Sequence, residues 1–112
     1  MKLTTQEVGD VTVVVLPDAD LDARSAPDFK REAAAIGIPK KVVLDMSHVG
    51  FVDSTGLGAI LSYMRAVESA GGKLKLCGNT HRVKVFFDLV RMHRIVDIFE
   101  NEVEAIRAFS MK

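Results

Sequence analysis

Short apolar runs alternate with amphipathic stretches along the chain, and this alternation predicts an α/β fold. The runs are rich in β-branched residues and are bounded by turn formers such as Pro17, as buried strands are. Four buried strands are predicted, at residues 11–16, 42–44, 74–77 and, more weakly because Asp97 interrupts it, 95–99. Residues 3–8 predict an edge strand, and Gly9–Asp10 supplies the two-residue turn that joins it to the next strand.

The stretches between these strands carry apolar residues three and four positions apart, which is the spacing of one helix face. The predicted faces comprise Ala26, Phe29, Ala33 and Ile36; Leu57, Ile60, Leu61, Met64 and Val67; Val83, Phe86, Phe87 and Val90; and Val103, Ile106 and Phe109. Asp22 or Ser25 is the predicted cap of the first helix, Thr80 that of the third and Asn101 that of the fourth. Gly71 is predicted to end the second helix.

The predicted order of elements is therefore β-β-α-β-α-β-α-β-α. Strands that alternate with helices pair mainly in parallel through right-handed crossovers. We therefore expect a mainly parallel central sheet with an antiparallel strand at its N-terminal edge. Loops that leave the carboxyl ends of parallel strands gather at one edge, where ligands and partners bind. Two carboxylate-rich segments, 18–22 and 45–54, are predicted to be such loops and to lie at the same edge.

The composition narrows the class of protein to a small cytoplasmic domain. A chain of 112 residues fits one domain, 1–112. Fifteen Lys and Arg balance fifteen Asp and Glu, and this neutrality argues against a nucleic-acid partner and against a polybasic membrane surface. The single cysteine, Cys77, excludes an internal disulfide and fits a reducing compartment. No apolar run approaches the ~20 residues that a membrane span requires.

The neutral total conceals an asymmetry between the two halves of the chain. Residues 1–56 hold nine acidic and six basic side chains, which gives a net charge of −3. Residues 57–112 hold six acidic and nine basic side chains, which gives +3. The acidic excess falls largely on the two carboxylate-rich segments. The pattern predicts either an acidic docking patch for a basic partner surface or loop charges that simply face solvent.

The most informative segment is 53–58, where a loop gives way to the second predicted helix. Asp and Ser are good N-cap residues because their side-chain oxygens accept hydrogen bonds from first-turn N–H groups that otherwise lack a partner. Gly56 and Gly58 each cost up to ~1 kcal/mol relative to Ala within a helix. Two glycines in one first turn indicate that another surface approaches the backbone closely, either a partner or the sheet of the same chain.

Residues 44–58 resemble the signature of STAS domains and, within that family, the stand-alone bacterial anti-sigma factor antagonists. The resemblance rests on Leu44-Asp45-Met46-Ser47 and on the run from Phe51 through Asp53-Ser54-Thr55-Gly56-Leu57-Gly58. Comparable pieces occur at 21–23, 71–72, 74–76 and 83–89, so the resemblance covers nearly the whole chain.

The resemblance implies a protein-binding switch and not an enzyme. Ser54 matches the serine that the family's partner, which is both an anti-sigma factor and a serine/threonine kinase, phosphorylates; Thr55 leaves a second hydroxyl beside it. The unphosphorylated form is expected to bind that kinase and free a sigma factor. A metal-dependent serine phosphatase is expected to reset the phosphorylated form. The expected partner contacts are Asp22, Asp53, Thr55, Gly56, Leu57 and Gly58. We expect a monomer that needs no cofactor.

Two other uses of a STAS-like domain stay open on the sequence alone. One is a partner switch that controls secretion, motility or biofilm formation. The other is an accessory subunit of a lipid-transport ATPase, and Ser54 counts against it because such subunits tend not to keep the serine.

Catalytic and metal-binding roles have little support in the sequence. A hydrolase that used Ser54 would need a base and an oxyanion hole, but Gly-x-Ser-x-Gly is absent and no family pattern places a histidine near this serine. His48, His81 and His93 lack metal-ligand spacing. A basic run, comprising Arg82, Lys84, Arg91 and Arg94, predicts either a second docking surface or a solvated helix face.

Overall fold

Within residues 1–110, which the computed structural model describes, the chain forms a five-stranded sheet and a smaller two-stranded one. The strands are β1 (Thr4–Val8), β2 (Val11–Val15), β3 (Ala19–Leu21), β4 (Lys41–Asp45), β5 (Val49–Val52), β6 (Lys73–Cys77) and β7 (Asp97–Phe99). The central sheet has the order β1-β2-β4-β6-β7, and β1 is antiparallel to β2 while the other neighbours are parallel. The expected fold class is confirmed. Met111 and Lys112, the last residues of the predicted domain 1–112, lie outside the described part.

Helices cover both faces of the central sheet. They are α1 (Ala26–Ile36), α2 (Ser54–Ser69), α3 (His81–Leu89) and α4 (Glu102–Ala108), with a short 3-10 helix at Met92–Arg94. The larger core lies between one sheet face and helices α1, α2 and α3, and the smaller core lies under α4. Successive side chains of a strand point to opposite faces of the sheet and so pack into different cores. On β2, Val14 belongs to the larger core and Val13 to the smaller. No helix within the described residues is long and apolar enough to cross a membrane.

Both segments predicted to be loops at the carboxyl edge contain a short strand. β3 lies within 18–22 and β5 within 45–54, and they pair in parallel as the two-stranded sheet. The prediction that the two segments lie together is confirmed, but their description as loops is wrong. Strands of three and four residues are too short to show an alternation of polar and apolar positions.

The last strand is shorter than predicted. It begins at Asp97 rather than at Ile95, because the chain before it turns through the 3-10 helix. Asp97 was expected to interrupt the strand, yet its carboxylate accepts a hydrogen bond at 2.8 Å from Nζ of Lys75 in the neighbouring strand β6. A carboxylate on an edge strand with a cation opposite it therefore starts the strand instead of ending it.

The predicted helix ends are present, but the capping hydrogen bonds differ among them. Asn101 caps α4, since its side-chain oxygen accepts from the N–H of Glu104 at 2.9 Å. Thr80 occupies the N-cap position of α3, but its hydroxyl instead donates to the carbonyl oxygen of Val49 at 3.0 Å. Gly71 follows the end of α2 with φ +87°, a conformation in which a side chain would be strained.

Candidate functional site

Ser54 is the first residue of α2 and is exposed, as is Thr55 beside it. The preceding residue, Asp53, has extended backbone dihedrals and caps the helix through Oδ1, which accepts from the N–H of Gly56 at 2.8 Å. The predicted N-cap is thus confirmed, and its side chain is Asp53. The cap satisfies a first-turn N–H without using the hydroxyl of Ser54, which is left free for chemistry.

Asp53 also fixes the start of α2 to the segment before α1. Its second oxygen, Oδ2, accepts from the N–H of Ala23 at 3.1 Å, and its own N–H donates to the carbonyl oxygen of Leu21 at 3.2 Å. One carboxylate therefore holds together two chain segments that are 30 residues apart in sequence. The arrangement places 21–25 directly beside Ser54.

Asp22, which sequence reasoning assigned to partner contact, is held by a local network. Its Oδ1 accepts from the N–H groups of Ser25 at 3.2 Å and Arg24 at 3.0 Å. These hydrogen bonds favour the charged form, and the one from Ser25 contributes most to lowering the pKa of Asp22. The hydroxyl of Ser25 closes the network by donating to the carbonyl oxygen of Asp20 at 2.7 Å. Asp22 is therefore ionised at neutral pH and fixed in position.

An acidic concavity lies at this end of α1. It measures about 280 Å³ and is lined by Asp20, Asp22, Arg24, Ser25 and Asp28. The Asp28 carboxylate is paired with Arg31 and with the amino group of Met1. Asp20 and Asp22 outnumber Arg24, so the concavity keeps a negative charge, and Asp20 is exposed to solvent. The predicted acidic excess is thus gathered on one surface next to the start of α2.

The three residues after Thr55 do not present one uniform surface. Gly56 is buried, and a Cβ atom there would overlap the carbonyl oxygen of Leu21 and lie 2.7 Å from its carbonyl carbon. Leu57 is half-buried against the larger core. Gly58 is exposed, and a Cβ atom there would meet nothing within 4 Å. The close approach that two glycines predict is made at Gly56 by strand β3 of the same chain.

Phe51 belongs to the motif that the sequence singles out, but its contact with Arg82 was not predicted. Phe51 lies on β5, two residues before Asp53, and the guanidinium of Arg82 sits 4.8 Å from its ring centroid. Arg82 comes from the first turn of α3, so one residue of the predicted basic run contacts the strand that leads into the site. The basic residues of that run were noticed from the sequence, but their aromatic partner could only be found once β5 and α3 were seen side by side.

A second cluster that sequence reasoning missed lies at the carboxyl end of β4. Burial opposes ionisation of Asp45, but hydrogen bonds from the Glu102 carboxyl and from Ser47 prevail and lower its pKa. The hydrogen bond to Asp45, together with burial and the charge of Asp45, raises the pKa of Glu102 to about 7, so Glu102 is the carboxyl of the pair that keeps its proton to the higher pH. Burial, together with these two carboxyls, raises the pKa of Cys77 to about 12. Cys77 is therefore a buried neutral thiol.

Within residues 1–110, no group of three His, Cys, Asp or Glu side chains is placed to hold a metal ion. His48 and His81 are exposed.

The fold and the sequence both match known proteins. The STAS domain family model matches residues 2–105. The anti-sigma-B factor antagonist of Bacillus subtilis is 29% identical over 96 residues, which make up 83% of this chain and 84% of that protein. The anti-sigma F factor antagonist of Paenibacillus polymyxa is 32% identical over 65 residues, 58% of this chain and 56% of that protein. A solved structure from Thermotoga maritima superposes with a TM-score of 0.85 at 27% identity, covering 97% of this chain and 95% of that one.

The chain therefore belongs to the STAS domain family. The match runs through both carboxylate-rich segments and the start of α2, so the site described above lies inside the family domain.

Proposed function

We propose that the chain is an anti-sigma factor antagonist whose binding to its anti-sigma factor is controlled by phosphorylation of Ser54. The observation that carries the proposal is an exposed serine at the first position of α2, beside a fixed and negatively charged segment. The names of the B. subtilis and P. polymyxa relatives support the same function. The proposed partner is an anti-sigma factor that is also a serine/threonine kinase, and a metal-dependent serine phosphatase reverses the modification.

The start of α2 can carry a phosphate without unfolding. A phosphoserine adds about −1.5 to −2 charge and three acceptor oxygens. The positive end of the helix dipole and the N–H groups of the first turn favour an anion at this position. Asp53 retains both of its hydrogen bonds because neither involves the side chain of Ser54.

The same phosphate disfavours a docked partner. The new charge arrives next to Asp53 and the fixed Asp22, where a bound partner would exclude the water that screens it. A change from 99% to 1% occupancy needs a ~10⁴-fold weaker affinity, or about 5.5 kcal/mol. Repulsion between like charges and the burial of unpaired charge amount to several kcal/mol in an interface, so the switch requires no refolding.

The proposed contact surface consists of the exposed residues around Ser54. Thr55 and Gly58 lie on the outer side of the first two turns of α2, and half-buried Leu57 lies between them. The acidic concavity, which Asp22 helps to line, provides a binding site for a basic side chain of the partner. Gly56 acts indirectly, because its lack of a side chain lets β3 and α2 approach each other.

The experiment is a phosphorylation assay that is read by intact mass. The wild-type chain is incubated with its cognate kinase and ATP and compared with Ser54→Ala and Thr55→Ala. We expect a single phosphate on the wild-type chain and on Thr55→Ala, and none on Ser54→Ala. A phosphate on Ser54→Ala that disappears from Thr55→Ala would move the site by one residue, and unmodified wild-type protein would contradict the proposal.

A further inference from the structure

A cavity separate from the Ser54 site lies at the carboxyl ends of β6 and β7. It measures about 260 Å³ and lies between these strands, α3 and the 3-10 helix. Asn79 follows β6 by two residues, and Glu100 follows β7 directly. The carboxyl edge of neighbouring parallel strands is where open α/β sheets bind ligands. The cavity therefore occupies the usual ligand position of this architecture.

The side chain of Asn79 is buried without hydrogen-bond partners. Asn79 is 7% exposed, and neither its amide oxygen nor its amide nitrogen has a partner within residues 1–110. An unpaired buried amide costs free energy and is rare in folded proteins, which marks Asn79 as a candidate for a binding role. Hydrogen bonds fix the residues on either side of Asn79. The N–H of Gly78 donates to the carbonyl oxygen of Phe99 at 3.1 Å. The hydroxyl of Thr80 donates to the carbonyl oxygen of Val49 at 3.0 Å.

The remaining lining of the cavity is apolar at one wall and charged at the rim. Phe87 and Ile98 form the apolar part. Lys84 and Glu100 face each other with Nζ and Oε1 3.5 Å apart, and both are largely exposed. Asp88 and His93 complete the lining. The rim thus offers both signs of charge, and Asn79 offers one hydrogen-bond donor group and one acceptor.

The geometry points to a binding site for a small zwitterion that carries a primary carboxamide, the chemistry of free glutamine or asparagine. A second carboxamide pairs with Asn79 through a donor and an acceptor at once. Lys84 and His93 bind the carboxylate of the ligand, and Asp88 and Glu100 bind its ammonium group. The amide atoms of Asn79 are covered in the free chain. The proposed pairing therefore requires the side chain to turn toward the cavity on binding. The volume lies below the ~300–1,000 Å³ of pockets for drug-sized ligands, as a single amino acid requires.

The test is an NMR titration of the full ¹⁵N-labelled chain with glutamine and with asparagine. We expect saturable shifts of the Asn79 side-chain amide and of the backbone signals of Gly78, Phe87 and Glu100. Glutamate, which lacks the amide donor, and N-acetylglutamine amide, which lacks both charges, are each expected to bind at least about tenfold more weakly, or about 1.4 kcal/mol. The titration uses no kinase, so its outcome is independent of the phosphorylation of Ser54.

Variants at the rim keep the test informative even if a change at the buried amide prevents folding. Lys84→Gln and Glu100→Gln are each expected to weaken glutamine binding, while Glu68→Gln, an exposed change on α2, leaves it unchanged. A folded Asn79→Leu chain is expected to lose binding. The proposal is overturned if the cavity signals do not move at millimolar amino acid, if the blocked analogue binds as tightly as glutamine, or if folded Asn79→Leu binds like wild type.

Discussion

Gly56 of helix α2 packs against the carbonyl group of Leu21 on strand β3 so closely that no side chain can be added there. A Cβ atom at position 56 would lie 2.7 Å from the carbonyl carbon and 3.1 Å from Cγ of the Leu21 side chain. The same carbonyl oxygen accepts the N–H of Asp53 at 3.2 Å. The position of β3 relative to the start of α2 therefore depends on Gly56.

Gly56→Ala is expected to destabilise the chain, whereas Gly58→Ala is not. The added methyl at 56 meets backbone, which cannot move away as a side-chain end can, so we expect a loss of at least about 1–3 kcal/mol in the free energy of unfolding. Position 58 is open, and there the change gains up to ~1 kcal/mol from helix propensity. Urea denaturation of the two variants measures both effects. Equal stabilities of the two variants would contradict the packing argument.

Two substitutions at Asp53 distinguish the contributions of the two hydrogen bonds that its carboxylate accepts. Asp53→Asn keeps one side-chain oxygen to cap α2 and loses the bond to Ala23, whereas Asp53→Ala loses both bonds. We expect Asp53→Ala to cost about 1–2 kcal/mol of stability and Asp53→Asn to cost less. Hydrogen exchange at the amide of Ala23 should accelerate in both variants. Unchanged protection of Ala23 in either variant would show that this bond is not formed in solution.

The pair formed by Asp45 and Glu102 makes stability depend on pH. The folded chain holds a proton on Glu102 up to pH of about 7, whereas the unfolded chain releases it near the ordinary value of 4.5. The contribution of Glu102 is therefore complete below the unfolded pKa and is lost as the pH rises through about 7. The pKa of Asp45 is lowered, so its contribution is present above its ordinary value and is lost as the pH falls through its folded pKa.

Denaturation at pH 6 and pH 8.5 tests this linkage. We expect the wild-type chain to lose on the order of 1 kcal/mol between these conditions, after allowance for the partial exposure of Glu102. In Glu102→Gln the amide donates to Asp45 at both pH values, so the loss should largely disappear. Glu104→Gln, at an exposed position of the same helix, is the matched control and should behave like wild type. A loss of the same size in Glu102→Gln would assign the pH dependence to another group.

Salt and charge changes test the acidic contact surface. Asp22→Asn keeps an oxygen for the N–H groups of Ser25 and Arg24 but removes the charge. We expect it to slow association with the anti-sigma factor, and we expect the wild-type affinity to fall as ionic strength rises. Surface plasmon resonance at two salt concentrations measures both. An affinity that is the same at low and high salt would show that the acidic residues face solvent without a role in docking.

The sequence was sufficient for the central sheet, because its buried strands are apolar runs and its helices have regular apolar faces. The extents of β3 and β5 could not be predicted, since their stability comes from pairing with each other and not from local pattern. The motif around Ser54 led to the candidate site, whose role stays a prediction, and the cap at Asp53 follows from residue type. The contact of Asp53 with Ala23, the approach of Leu21 to Gly56 and the pairing of Asp45 with Glu102 join distant segments, which no local pattern reveals.

In the proposed switch, phosphate on Ser54 removes the partner by charge alone. Calorimetric titration of the cognate anti-sigma factor with the unphosphorylated chain, the phosphorylated chain and Ser54→Asp tests it most directly, with Ser62→Asp as a control for a charge placed elsewhere on α2. We predict that phosphorylation weakens binding by about 10³- to 10⁴-fold, that Ser54→Asp weakens it in part, and that Ser62→Asp binds like wild type. Each melting temperature should stay within about 4 °C, the shift that ~1 kcal/mol produces. A folded phosphorylated chain that binds the anti-sigma factor as tightly as the unmodified chain would contradict the account.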